Sequence, residues 1–394
     1  MPNYNLSHFF HLPEVNIASI KHEGAHSKVL LCFKEPNTEY CPRCAEPSSV
    51  TYDHRTVRVK DAPVREHSVF LLIKKRRLYC KKCKKPFTEP VPCVRKGKRH
   101  TDRFERHLTE ACNNFCDLKT VRRYYRCSGK YLYQTYYRQL ELKARTKLSP
   151  WPKSIAIDEH SFRRNKQYGH TEFASVIVDY SAKRVKEIVE GKSSAALAHQ
   201  LAYIPGRENV QNVVIDMCDP FKTFAREFFP NSRIVADKFH VLRLLSPSLL
   251  RKRKEITGSR AELRAKKLLL MSSKNLDYFS RLKLEQFLQK YPHMHELYTW
   301  KESLHRFYRI RGYSKACRAL TQLTDQMARS LLPEIKTLRK TLIRWREEIL
   351  NYFLTRLTNA RTEGFNNKAK LVKRRGYGYR NFKNYRLRLL NACS

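Results

Sequence analysis

The chain has 394 residues, and its 80 Lys and Arg against 36 Asp and Glu leave a formal charge of +44. A surplus of that size, spread along the chain, predicts a polyanionic partner, nucleic acid first and an anionic membrane surface second. No apolar run approaches the ~18–20 residues of a membrane span, and 11 Gly exclude a low-complexity chain.

Residues 1–7 lack the basic and apolar regions of a secretory signal. Twelve cysteines in so Lys-rich a chain point to thiols and metal sites rather than a disulfide framework, so an intracellular protein is expected. Residues 1–30 read as a short strand-rich lead-in, with Val15, Ile17 and Ile20 ahead of the run 29–33. Cys41-Pro42-Arg43-Cys44 and Cys80-Lys81-Lys82-Cys83 follow, separated by 35 residues with strand character around Val57, Val59 and 69–73. Two knuckles of two thiolates are how tetrahedral zinc is held, and four protein ligands make the site structural. Cys93, His54 and His100 are substitute ligands.

From Thr101 the period becomes helical: Phe104, Leu108, Ala111, Cys112 and Phe115 share one face. Cys112 and Cys116 read as buried thiols. A second helix over about 118–126, the turn Cys127-Ser128-Gly129 and a third helix over 130–143 outline a helix-turn-helix reader, with Lys130 and Arg138 as DNA contacts. Three-helix packing units share this outline.

Leu148-Ser149-Pro150-Trp151-Pro152 ends the helix and reads as a domain boundary. Beyond it come a strand over 155–157 ending in Asp158, strands over 172–180 and 185–189, and a helix over 194–201. A strand over 213–215 ends in Asp216, a helix spans 220–229, and a strand over 233–236 ends in Asp237. This is an α/β layout with acids at strand ends. Residues 241–357 read as continuously helical, and Leu338, Leu342, Trp345, Ile349, Phe353 and Leu357 form the core stripe of one last helix.

Glu363 then sits among Arg361, Lys368, Lys370, Lys373, Arg374, Arg375 and Arg380. A carboxylate facing a polyanion calls for a divalent metal, although a Glu in a first helical turn is also favoured by the helix dipole. Asp158, Asp216 and Glu363 converge if their strands are neighbours and the last helix crosses the sheet. Three converging carboxylates imply bound Mg²⁺ or Mn²⁺, and two such ions suit phosphodiester transfer. No phosphate-cradling Gly-rich loop is present. Period-two alternation sends Glu159 away from Asp158. Asp219 is expected to cap a helix, and Asp237 to cap the next, with His240 one turn on, either beside the site or structural.

The paired cysteines, Ile157-Asp158-Glu159, Ile215-Asp216-Met217, Asp237-Lys238-Phe239-His240-Val241 and Glu363-Gly364-Phe365-Asn366-Asn367-Lys368 through Lys373-Arg374-Arg375-Gly376-Tyr377-Gly378 resemble a bacterial insertion-sequence DDE transposase, nearest the ISL-three family. The likeness runs from about Cys41 to Arg388 and carries nothing onto residues 1–30; Ala369 stands where a branched apolar residue is expected. It implies an α+β multidomain chain: a zinc-ribbon β domain (1–99), a helix-turn-helix domain (100–147), and an RNase H-like core (148–240 and 358–394) interrupted by a helical insertion (241–357). It also implies a catalytic triad of Asp158, Asp216 and Glu363 with two Mg²⁺ (or Mn²⁺), and Asp237 and His240 as an Asp-x-x-His element beside it. One structural Zn²⁺ is expected at Cys41, Cys44, Cys80 and Cys83. The expected partners are double-stranded transposon ends and target DNA, held by Lys368, Lys370, Lys373, Arg374, Arg375, Tyr377, Tyr379 and Arg380. Two synapsed ends imply at least a homodimer, cytoplasmic and nucleoid-associated, with no membrane. Two other readings remain: a zinc-dependent DNA-binding regulator with an inactive core, and a metal-dependent nuclease that never joins.

Overall fold

The computed structural model describes residues 12, 15–114, 117–146, 149–164, 169–258 and 263–393. They form two compact units, Met1–Lys143 and Ala144–Ser394. Phe115, Cys116, Leu148 and most of the lead-in before Val15 lie outside the described residues.

In the first unit, β1 (Asn16–His22), β2 (Ser27–Phe33), β5 (Thr51–Val64) and β6 (His67–Cys80) form a sheet in the order β1-β2-β6-β5. The short β3 (Glu39–Tyr40) and β4 (Pro47–Ser48) pair with each other, and β7 (Lys85–Thr88) pairs with the end of β6. Val69, Leu71 and Ile73 alternate along β6 and are fully buried, the period-two pattern of a half-buried strand. Helices α1 (Asp102–Asn114), α2 (Leu118–Tyr124) and α3 (Gly129–Thr146) follow the sheet. Asp117 caps α2 by accepting from Thr120 N at 2.8 Å. Lys60 of β5 donates to the Tyr125 and Arg126 carbonyls at 2.6 and 2.8 Å, tying the sheet to the end of α2. Phe104, Leu108 and Cys112 of α1 are buried as the stripe predicts.

The second unit opens with β8 (Ser154–Arg164), β9 (Thr171–Asp179) and β10 (Arg184–Glu190), paired antiparallel. Then come α4 (Ser194–Leu201), β11 (Asn212–Ile215), α5 (Asp219–Phe228) and β12 (Arg233–Ala236). Strand order is β10-β9-β8-β11-β12, with β8, β11 and β12 parallel. Consecutive residues Ile155, Ala156 and Ile157 are fully buried, so both faces of the sheet are covered. Helices α4 and α5 pack together against it, as do α14 (Ala360–Arg375) and α15 (Phe382–Ala392).

Between them run α6 (Lys238–Leu242), α7 (Ser246–Thr257), α8 (Leu263–Leu270), α9 (Tyr278–Lys290), α10 (Pro292–Phe307), α11 (Tyr313–Met327), α12 (Pro333–Arg344) and α13 (Arg346–Thr355). Helix α13 lies along β12, the edge of the sheet, and Asn351 donates to the Ile234 carbonyl at 2.9 Å. That bond and the helix itself cover an edge that would otherwise invite another strand.

Three expectations change. Strand β8 runs six residues past Asp158, because Glu159 to Arg164 pair with β9 as one arm of a hairpin; Asp158 is therefore mid-strand. The apolar stripe through Trp345 belongs to two helices, not one, since the backbone turns at Trp345 (φ −105°, ψ 20°). Asp219 is not a cap: it is already in the first turn of α5 behind Cys218, and its carboxylate pairs with Arg344 at 2.7 Å.

Candidate metal centres

Parallel pairing sets Ile157 opposite Ile215, and Ile215 opposite Ala236. The next residue on each strand is an acid: Asp158, Asp216 and Asp237 stand in a row at one level of three neighbouring strands. Asp158 is 9% exposed; its Oδ1 accepts from Glu159 N and its Oδ2 from Asn366 Nδ2, both at 2.7 Å. Burial first, and then the charge of adjacent Asp216, push its carboxyl up to about 8. Glu159 points away, with Lys192 at 3.3 Å, as the alternation requires.

Asp216 Oδ1 accepts from Asn359 Nδ2 and from His240 Nδ1, each at 2.9 Å. Asp237 caps α6, accepting from Phe239 N at 3.1 Å and His240 N at 3.2 Å, and it also accepts from His240 Nδ1 at 3.1 Å and Asn359 N at 2.7 Å. Capping the helix and lining the site are thus one arrangement. The bonds to Asp216 and then Asp237 push His240 up to about 10, so its imidazolium is the cation lying between them. Glu363 is exposed in the first turn of α14 and, among the described residues, makes no side-chain hydrogen bond or ion pair with this group. Asn366, one turn further on the same helix, is the residue that reaches Asp158.

Asn359 went unremarked in the sequence. It immediately precedes α14, donates to Asp216 and to the Ile157 carbonyl (3.3 Å), and accepts from Thr362 Oγ1 at 3.1 Å. The available signal was slight: a polar residue at a helix start, four before an acid. The donor set suits a hard divalent cation. Asp216, Asp237 and His240 offer ligand atoms within 4.8 Å of one another, the His240 nitrogen only when a cation takes the place of its proton, and Asp158, beside Asp216, resists ionisation when no cation is present.

In the first unit, ligand atoms of Cys41, Cys44, Cys80 and Cys83 all lie within 4.8 Å of one another, without Cys93, His54 or His100. Cys44 and Cys80 sulfurs are 3.6 Å apart, and those of Cys41 and Cys83 4.0 Å. Tetrahedral Zn–S bonds of about 2.3 Å require sulfurs about 3.8 Å apart, so the four thiols fit zinc. The Arg43 backbone N–H above all draws Cys41 down to about 7, whereas hydrogen bonding to Cys44, then burial and the other neighbouring sulfurs, push Cys83 up to about 12. Only a bound cation lets all four ionise together.

The expected DNA contacts divide. Lys130, Lys368, Lys370, Arg374, Arg375, Arg380 and Tyr377 (88%) are exposed. Arg138 is instead engaged by Glu105 at 2.7 Å, and Lys373 by the Ser161 carbonyl at 2.6 Å. Tyr379 turns inward, its ring 5.4 Å from that of Tyr385, and so is not presented for stacking on bases.

Residues 155–389 match a family model described as Transposase, of the ISL3 group of DDE enzymes. Residues 38–83 match one described as the zinc-finger of transposase IS204/IS1001/IS1096/IS1165. The transposase for insertion sequence element IS1001 of Bordetella parapertussis is 25% identical over 368 residues, covering 89% of this chain and 88% of that relative.

Proposed function

The chain belongs to the ISL3 family of insertion-sequence transposases, and from that premise we propose that it binds the terminal inverted repeats of its element, cuts DNA there and joins the freed ends to target DNA. The observation that carries the chemistry is the row of acids on β8, β11 and beside β12, in which Asp158 keeps its proton up to about 8. Three antiparallel strands followed by two parallel ones, alternating with helices, support an RNase H-like core; the helices from α6 to α13 support an insertion within it.

Asp158 and Asp216, with Glu363 from α14 or Asp237 from the cap of α6, are the residues to hold Mg²⁺ or Mn²⁺. Two such ions would activate the attacking oxygen and neutralise charge on the leaving one. The protein's own part is to hold the acids in place: Glu159 N and Asn366 fix Asp158, and Asn359 and His240 fix Asp216. In the first reaction a water oxygen bonds to phosphorus, the P–O3′ bond breaks, and the 3′ oxygen leaves with a proton. In the second, that 3′-hydroxyl gives up its proton as its oxygen bonds to a target phosphorus, the target P–O3′ bond breaks, and the displaced 3′ oxygen takes up a proton in its turn. The exposed Lys368, Lys370, Arg374, Arg375 and Arg380 would hold backbone phosphates. Lys130 at the start of α3 and the zinc-bearing sheet would read the repeats, with α2 and α3 as the helix-turn-helix. Two ends brought together need two copies of the chain, working at the nucleoid. Among the described residues no helix is long and apolar enough to cross a membrane.

The test is purified protein with labelled end DNA and Mg²⁺. Cleavage with joining is expected, and Asp216→Asn should lower cleavage by about 10³-fold while leaving end binding intact. Cleavage without joining would indicate a nuclease, binding alone a regulator, and undiminished cleavage by Asp216→Asn would remove that residue from the site.

A further inference from the structure

Two buried polar atoms beside Asp158 have no hydrogen-bond partner: His160 Nδ1 and Asn366 Oδ1. Such atoms are rare in folded proteins and call for a reason. His160 follows Asp158 by two residues on β8, so both side chains face α14 and α15. It is 8% exposed, and its Nε2 meets Tyr385 Oη of α15 at 2.5 Å. Tyr385 is itself fully buried, its ring 5.2 Å from that of Phe162 and 5.4 Å from that of Tyr379, which hold the hydroxyl on its aim. On the other side, Asn366 Nδ2 donates to Asp158 Oδ2, and Asn366 also bears on the His160 ring. The orphaned pair is complementary, a ring nitrogen able to donate and an amide oxygen able to accept.

We infer that Tyr385, His160 and Asn366 form a one-way chain of donors that sets the orientation of the Asp158 carboxylate. Tyr385 O–H donates to His160 Nε2, His160 Nδ1–H to Asn366 Oδ1, and Asn366 Nδ2–H to Asp158 Oδ2. Each link fixes the next: the tyrosine selects the imidazole tautomer, and the tautomer selects the direction of the amide. Asp158 Oδ2 takes the Asn366 Nδ2–H at 2.7 Å, which leaves Asn366 Oδ1 for His160. These are positioning residues, and the inference rests on Asp158 being a cation ligand.

The test measures Mn²⁺ binding to the zinc-loaded full chain without DNA, reading free Mn²⁺ by electron paramagnetic resonance. His160→Leu should weaken Mn²⁺ about tenfold or more, and Tyr385→Phe, which keeps the ring, should weaken it several-fold. His160→Gln, which supplies one acceptor and one donor, should recover most of the loss. Unchanged affinity in Tyr385→Phe overturns the inference even if His160→Leu does not fold. Equal losses in the Leu and Gln variants overturn it too, since packing alone would then be at work. Asp158→Asn tests the underlying reading separately: it should abolish tight Mn²⁺ binding, and if it does not, the cation site itself is wrong whatever the chain does.

Discussion

Asp158→Asn should make the protein more stable when no divalent cation is supplied, although it removes a proposed ligand. In the unfolded chain this carboxyl loses its proton near 3.8; in the fold it keeps it until about 8, chiefly because it is buried and then because Asp216 is adjacent. A carboxyl raised on folding costs nothing below its unfolded value, and stability is lost progressively as pH climbs to the folded one. At about 1.4 kcal/mol per pH unit, the interval from 3.8 to pH 7 sets a ceiling of about 4 kcal/mol. Asp216 shares the charge and some water enters, so about 2 kcal/mol is the expected gain, or about 4–8 °C for a unit of this size. The new amide can still accept from Glu159 N through Oδ1, while its Nδ2 can no longer accept from Asn366 and finds a partner when the Asn366 amide turns over to present Oδ1, so one bond is exchanged rather than kept. Melts from pH 4.5 to 8.5, with zinc retained and no magnesium added, should show the variant and parent close at the acid end, the gap widening steadily through neutrality and levelling off near pH 8. Added Mg²⁺ should then stabilise the parent alone. A variant less stable than the parent at pH 7.5, or a gap that persists unchanged to pH 4.5, would refute the placing of an uncompensated buried carboxyl.

Two further changes probe other parts of the chain. Cys80→Ser should drop the zinc content from one per chain to near none and weaken end binding; full zinc by metal analysis would refute the ligand set. Arg374→Ala should weaken DNA binding on any sequence and lower the slope of log affinity against log salt by about 0.9, whereas an unchanged slope would take that side chain off the phosphate backbone.

The sheet of the second unit was legible because strands buried on both faces are written as unbroken apolar runs, as at 155–157 and 213–215. The far arm of β8 was not. Its side chains alternate between Phe162, which packs on Tyr385, and Arg163, which pairs with Glu172, and a register shift between Ser161 and Arg163 spoils the period. The break at Trp345 left no Pro or Gly to mark it. Leu342 and Ile349 on either side are both buried, so the stripe continues through the turn. Pro220 is the residue that misplaced Asp219: it sits in the first turn of α5, where its missing N–H is harmless, and Asp219 had already entered the helix.

At the site, charge was readable and neutral polarity was not. An acid in a basic chain stands out alone, whereas an asparagine has no meaning until its neighbours are known. Asn359 joins Ile157 and Asp216 across sequence separations of 202 and 143 residues, and no local pattern encodes that. The same limit explains the tail, where Tyr377 and Tyr379 were read alike. Tyr377 is exposed, with φ 50°, and the chain then turns so that Tyr379 folds back over Gly376; a Cβ there would stand 2.7 Å from the Tyr379 ring. Gly376 is therefore what allows the inward tyrosine to pack beside Tyr385. The segment is two-sided as a result, with Arg374 and Arg375 facing solvent and an aromatic cluster bracing the helices that carry Asn366 and Tyr385. Filling that glycine position should therefore disturb the acid site from behind before it affects any phosphate contact.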